Sequence, residues 1–156
     1  MKKILFIVVM MLSFCVNANA QWHISETKAD ELKGTKASKN AIFLNEEGNF
    51  AITDAFDYVV MIGTNKGLFD YERNSTLKTV NMLIGYYVED KLVEKSNVTL
   101  YVGSGGDTAY SYENKDFFNK VVNHLKYKGS IRIIIERYNR LDLDLIVPMN
   151  KDLPFN

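Results

Sequence analysis

The chain has 156 residues, with nineteen basic and nineteen acidic side chains and a single cysteine, Cys15. Its length is that of one domain. Its balanced charge lacks the basic block that nucleic acid demands, and Lys28, Lys33, Lys36 and Lys39 alternate with Glu26, Asp30 and Glu31 as in a solvated segment.

Met1 to Ala20 reads as a secretory signal peptide. Lys2 and Lys3 open it, an apolar run follows from Ile4 to Phe14, and Ala18-Asn19-Ala20 offers a small-x-small cleavage site. That run is too short for a stable membrane anchor, which needs ~20 apolar residues. The expectation is a protein exported to the periplasm or beyond, with Gln21 to Asn156 as one β-rich domain and no transmembrane anchor after cleavage. Cys15 departs with the leader, so the working chain has neither disulfide nor thiol chemistry. Lipidation at Cys15 is the competing reading, and the bulky Phe14 before it speaks against that.

Trp22–Ser25 opens with a short strand, and Lys28–Asn40 is polar and without period, hence a loop with a helical turn near Lys28–Lys33. Ala41–Leu44 is a short apolar run closed by the turn-prone Asn45-Glu46-Glu47-Gly48-Asn49. Tyr58–Thr64 and Leu68–Glu72 form a hairpin about Asn65-Lys66-Gly67. Thr79–Val88 is a longer strand, and a turn at Asp90-Lys91 leads to strands at Leu92–Lys95 and Asn97–Val102. Tyr58–Thr64 and Thr79–Val88 are apolar on both faces, which places them centrally in a covered sheet. Gly103-Ser104-Gly105-Gly106-Asp107 is the most flexible stretch, and Thr108–Glu113 returns from it as a strand.

Lys115–Lys126 is an amphipathic helix. Asn114 supplies the N-cap, and Phe117, Val121 and Leu125 form an apolar stripe with Phe118 and Val122 beside it. Gly129 sits where a left-handed terminating residue is wanted. A final hairpin follows. For Ile131, Ile133 and Ile135 to share a side with Leu141, Leu143 and Leu145, the connection must be the three residues Asn139-Arg140-Leu141. Pro148 ends that strand and Met149–Asn156 is a tail. The fold expected is mainly β: an antiparallel β-sandwich, or alternatively a curled sheet or half-open barrel, with one helix packed on it near the C-terminal end.

The sequence carries no catalytic constellation. His23 and His124 lack metal-ligand spacing, and Gly103-Ser104-Gly105 lacks the G-x-S-x-G elbow. No Gly-Lys-Ser/Thr follows the glycines to cradle a phosphate. The acids at Asp54 and Asp57, Asp70 and Glu72, and Asp142 and Asp144 fit solvated strand faces and no calcium loop. Asp144 is expected opposite Glu136, with Arg132 or Arg137 neutralising the pair. Neither a cofactor nor a metal is implied.

What stands out is the aromatic content, nine Tyr and nine Phe. Tyr110 and Tyr112 share a strand face beside the glycine loop, Tyr87 and Tyr101 sit on the less apolar faces of theirs, and exposed tyrosines on a flat sheet are platforms for sugars or proteins. The candidate partner surface is therefore Gly105, Gly106, Asp107, Tyr110 and Tyr112. Thr108, within Asp107-Thr108-Ala109, resembles the Asp-Thr/Ser-apolar O-glycan acceptor of secreted proteins in some gut bacteria, and Asn74 and Asn97 head N-glycan sequons. These features suggest a non-enzymatic binding or structural module of the bacterial envelope, with protein or glycan as partner. The alternatives are a small-ligand carrier with a cavity between helix and sheet, marked by an apolar pocket, and an enzyme, marked by a cleft with convergent carboxylates.

Overall fold

The computed structural model describes residues 20–32, 34, 36–55, 58–64, 79–103, 106–137 and 140–156. The expected signal peptide, apart from Ala20, and the expected strand Leu68–Glu72 with its turn lie outside them. Nine strands form one antiparallel sheet: β1 (Gln21–Thr27), β2 (Ser38–Leu44), β3 (Asn49–Thr53), β4 (Val59–Gly63), β5 (Thr79–Val88), β6 (Lys91–Val102), β7 (Thr108–Tyr110), β8 (Ser130–Arg137) and β9 (Arg140–Val147). Among the described residues the one helix is α1 (Lys115–Tyr127). The spatial order is β1-β2-β3-β4-β7-β6-β5-β8-β9. The chain thus meanders through β4, reappears three positions away at β5, and returns through β6 and β7 to dock β7 on β4. It then crosses by α1 to the far side of β5.

The sheet is a single curled layer, so the curled-sheet expectation stands and the sandwich is replaced. Its curl is strong enough that Trp22 of β1 donates its indole N–H to the Pro148 carbonyl, just past β9, at 3.3 Å. The helix is not at the C-terminal end, because the β8–β9 hairpin and a packed tail follow it.

The inner face follows the period of two that strands impose. Phe43, Phe50, Ile52, Val60, Ile62, Met82, Ile84 and Leu100 are buried there, joined by Ile131, Ile133, Ile135, Leu143, Leu145 and Val147. Phe118, Val121, Val122 and Leu125 of α1 fill the interior opposite them. Asn114 caps the helix as the sequence suggests, its side chain accepting from Phe117 N–H at 3.1 Å. His124 joins the buried helix face. Its Nε2 lies 3.0 Å from the Tyr87 carbonyl and 3.1 Å from that of Ser130. Both partners are acceptors, so Nε2 carries the proton, and the ring ties the end of α1 to β5 and β8.

Several expectations are corrected. Gly129 is not left-handed; its nearest feature is the Tyr87 carbonyl oxygen, only 2.0 Å from where a Cβ would sit. Glycine is there because two backbones touch. β4 is buried on both faces as expected, but on β5 Asn81 and Leu83 emerge into solvent. The turn before β6 is Glu89-Asp90, both with positive φ (48° and 62°), a two-residue geometry that matches strand twist. β6 then runs unbroken, where two strands were expected. β3 was not foreseen.

In the β8–β9 hairpin the isoleucines do share a side with Leu143 and Leu145, but not through a three-residue connection. Arg137 faces Arg140, and a register shift between Ile135 and Glu136 restores the facing of Ile135 with Leu143. The irregularity supplies the extra residue that the turn does not. Asp144 consequently faces Ile134 rather than Glu136. The expected tail is also structural: Leu153 and Phe155 are buried, and Phe155 packs edge-on against Phe118 at 5.3 Å.

Candidate functional site

The outer face carries apolar side chains in two places: Leu83 of β5 and Ile146 of β9 are exposed on it, and a buried group lies where β4 crosses. Ala51, Val59 and Met61 form a small buried cluster there, with Ile42 and Tyr110 packed against it. Register makes this a transverse row: Ile42 faces Ala51, Ala51 faces Met61, Met61 faces Tyr110, and Tyr110 faces Tyr101. The row ends in two tyrosine rings 6.2 Å apart and tilted by 35°. Tyr110 is half-buried, whereas Tyr101 keeps 51% of its surface exposed.

Two residues along the strands, on the same face, lies a second row, Asn49 facing Gly63 and Gly63 facing Thr108. Gly63 has no side chain, and the row dips into a depression there. Asn49, Thr64, Asp107 and Thr108 form its rim, over Ala51 and Met61. Its volume is about 10 Å³, room for one water or one hydroxyl. The rim is held by backbone: Thr64 N–H donates to the Asp107 carbonyl at 2.9 Å, and Gly103 N–H to the Thr108 carbonyl at 2.8 Å. Gly106, with φ of 70°, closes the turn by donating to the Gly103 carbonyl at 3.0 Å.

The sequence-selected residues are distributed as follows. Asp107 stands at the depression, Gly106 precedes it in the turn and Tyr110 lies in the neighbouring row, while Gly105 lies outside the described residues. Tyr112 lies past the end of β7 and is 42% exposed; the ring that pairs with Tyr110 is instead Tyr101. Thr108 is buried, its Oγ1 lying 2.5 Å from the place of a Gly103 Cβ, which withdraws its hydroxyl from any modifying enzyme. Asn49, Gly63 and Thr64 were missed, and Tyr101, weighed as a platform tyrosine, was not joined to this surface.

Of the acids singled out by sequence, Asp54 and Asp144 have structural partners. Asp54 accepts from Lys39 N–H at 2.6 Å. Asp144 is gripped by Arg132 through Nε at 2.8 Å and Nη2 at 2.6 Å. The guanidinium holds the Asp144 carboxyl below the usual carboxylate range, against a smaller opposing effect of burial, and Asp144 in turn raises the Arg132 pKa. Asp57, Asp70 and Glu72 lie outside the described residues. Among the described residues no three His, Cys, Asp or Glu side chains group to hold a metal, and no helix is long and apolar enough to cross a membrane.

One polar group inside the core also escaped sequence reading. The Tyr86 hydroxyl is buried near the Ser96 side chain but outside hydrogen-bond geometry with it. Burial pushes its pKa up to about 12; the nearby Ser96 side chain offsets part of that rise and the Glu94 charge adds to it. Lys120 lies 4.8 Å over its ring and His124 meets it edge-on at 5.1 Å.

No family model, curated protein or solved structure matches this chain. The functional reading therefore rests on the geometry above.

Proposed function

We propose that this chain is an exported, non-enzymatic binding module that engages its partner through the outer face of the sheet at Tyr101, Tyr110 and the Asp107 turn. The observation that carries the reading is the tyrosine pair, an aromatic surface held on a rigid sheet next to a polar notch. Rigid aromatic side chains supply contact area at low entropic cost, which favours them where partners meet. The leader-like first twenty residues support export, and a cell-envelope setting follows from it.

The carrier reading draws less support. Phe118, Val121, Val122 and Leu125 fill the space between helix and sheet. The outer depression falls far short of the ~300 Å³ or more that a small-molecule pocket occupies. The enzyme reading asks for convergent carboxylates, and the depression offers Asp107 alone.

The test is capture in the native cell. The chain, tagged at its C-terminus and crosslinked, is compared with a Tyr101→Ala variant of equal stability. Binding through this face requires a reproducible partner with the first and a marked loss with the second. Equal capture by both refutes the outer face as the contact.

A further inference from the structure

Resting on that reading, we infer that the outer-face site is a carbohydrate site: a neutral glycosyl ring stacks on the Tyr101–Tyr110 pair and lowers one hydroxyl into the notch at Gly63. The chemistry matches part by part. The C–H bonds on one face of a sugar ring carry partial positive charge, and a tyrosine face carries the complementary negative quadrupole. A sugar also brings hydroxyls that both donate and accept. Around the notch the Asn49 amide does both, and the Asp107 carboxylate accepts. That carboxylate disfavours anionic sugars.

The size of the notch favours a sugar hydroxyl over a protein anchor. A protein interface is anchored by large side chains in desolvated pockets, whereas this recess has room for about one water.

Gly63 supplies the independent argument. At Gly48, Gly103 and Gly129 a Cβ would lie 2.0 to 2.6 Å from another atom, so contact demands glycine. At Gly63 the nearest atoms to a Cβ are Asn49 Cβ at 3.6 Å and Asn49 Nδ2 at 3.7 Å, ordinary contact distances, and its φ is not in the left-handed region. Nothing in the fold forbids alanine here. What the missing side chain does is keep the notch open.

The test uses envelope polysaccharide from the native cell, digested with protease and immobilised. The folded mature chain is retained on it, and periodate, which cleaves vicinal diols, abolishes retention. Gly63→Ala and Tyr101→Ala each weaken retention about tenfold, the loss that one hydrogen-bonded or stacked contact entails. Gly63→Ala leaves the melting temperature unchanged or slightly raised, since glycine weakens a strand. Retention of both variants at the wild-type level overturns the assignment. So does capture that appears only on envelope material untreated with protease, an outcome that leaves the binding module standing with a protein partner. Absence of capture on either material overturns the module reading as well.

Discussion

Replacing Gly129 separates two physical reasons for a glycine after a helix. If Gly129 served as a left-handed cap, alanine would cost about 1 kcal/mol and asparagine, which tolerates that conformation, still less. The structure gives a different reason. A Cβ at 129 would lie 2.0 Å from the Tyr87 carbonyl oxygen and 3.0 Å from its carbonyl carbon, both backbone atoms of β5. Neither swings aside as a side-chain tip does, so β5 and the start of β8 must separate. Such overpacking costs ~1–3 kcal/mol. The same movement stretches the 3.0 Å contact of His124 Nε2 with that carbonyl, worth about 1 kcal/mol more. The expected loss is about 3 kcal/mol, roughly 10 °C in Tm for a chain of this size. It should be equal for Gly129→Ala and Gly129→Asn. Urea unfolding of the three proteins, with slopes checked for constancy, measures it. A mild asparagine variant beside a damaging alanine one would restore the left-handed cap and refute the steric argument.

Four further perturbations test the packing. Tyr86→Phe removes a buried hydroxyl without a partner, so stability should hold or rise by up to about 1 kcal/mol; a clear loss would show that the hydroxyl is bonded. In the same residue, a pKa raised to about 12 in the folded state means that the native chain keeps a proton the unfolded chain sheds near pH 10. Stability should therefore fall as pH rises from about 10 to 12, and the Tyr86→Phe variant should show less of this loss. Asp144 has the opposite sign: its carboxyl is depressed by Arg132, so its contribution is present above the ordinary carboxylate range and disappears as pH falls through the lowered value. Asp144→Asn should flatten the acid limb of a Tm-versus-pH curve while changing Tm at neutral pH by only a few degrees, because the pair is partly solvated. Truncation after Asp152 removes Leu153 and Phe155 from the core, together with the bonds of Lys39 to the Pro154 carbonyl and of Lys126 to the Phe155 carbonyl. Its expected cost is about 4 kcal/mol or more by denaturant unfolding, and a loss under about 1 kcal/mol would return these residues to the status of a tail.

Local signals were legible and non-local ones were not. The helix could be read because its cap, its apolar stripe and its basic end all lie within fourteen residues, Asn114 to Tyr127. The β5 span could be read because β-branched and aromatic residues crowd it. β3 escaped because it is five residues long, with only Phe50 and Ile52 as large apolar side chains, too short a run to stand out directly after a turn. The tail escaped because its burial depends on Phe118, far away in sequence. The same reason hid half of the candidate site. Alternation alone put Tyr110 beside Tyr112, while the observed neighbour, Tyr101, requires knowing that β7 inserts between β4 and β6. Asn49 and Gly63 join the notch only through the β3–β4–β7 register, which no single segment encodes.

The most direct measurement of the account is site-specific photocrosslinking in the native cell, with a benzophenone side chain placed at Tyr101 in one variant and at Tyr127 in another. Both positions are exposed, but Tyr101 lies on the outer sheet face and Tyr127 at the end of α1. The account predicts crosslinked material of raised mass from position 101 and none from position 127. A product from 127 with none from 101 would contradict it and move the binding surface to the helix.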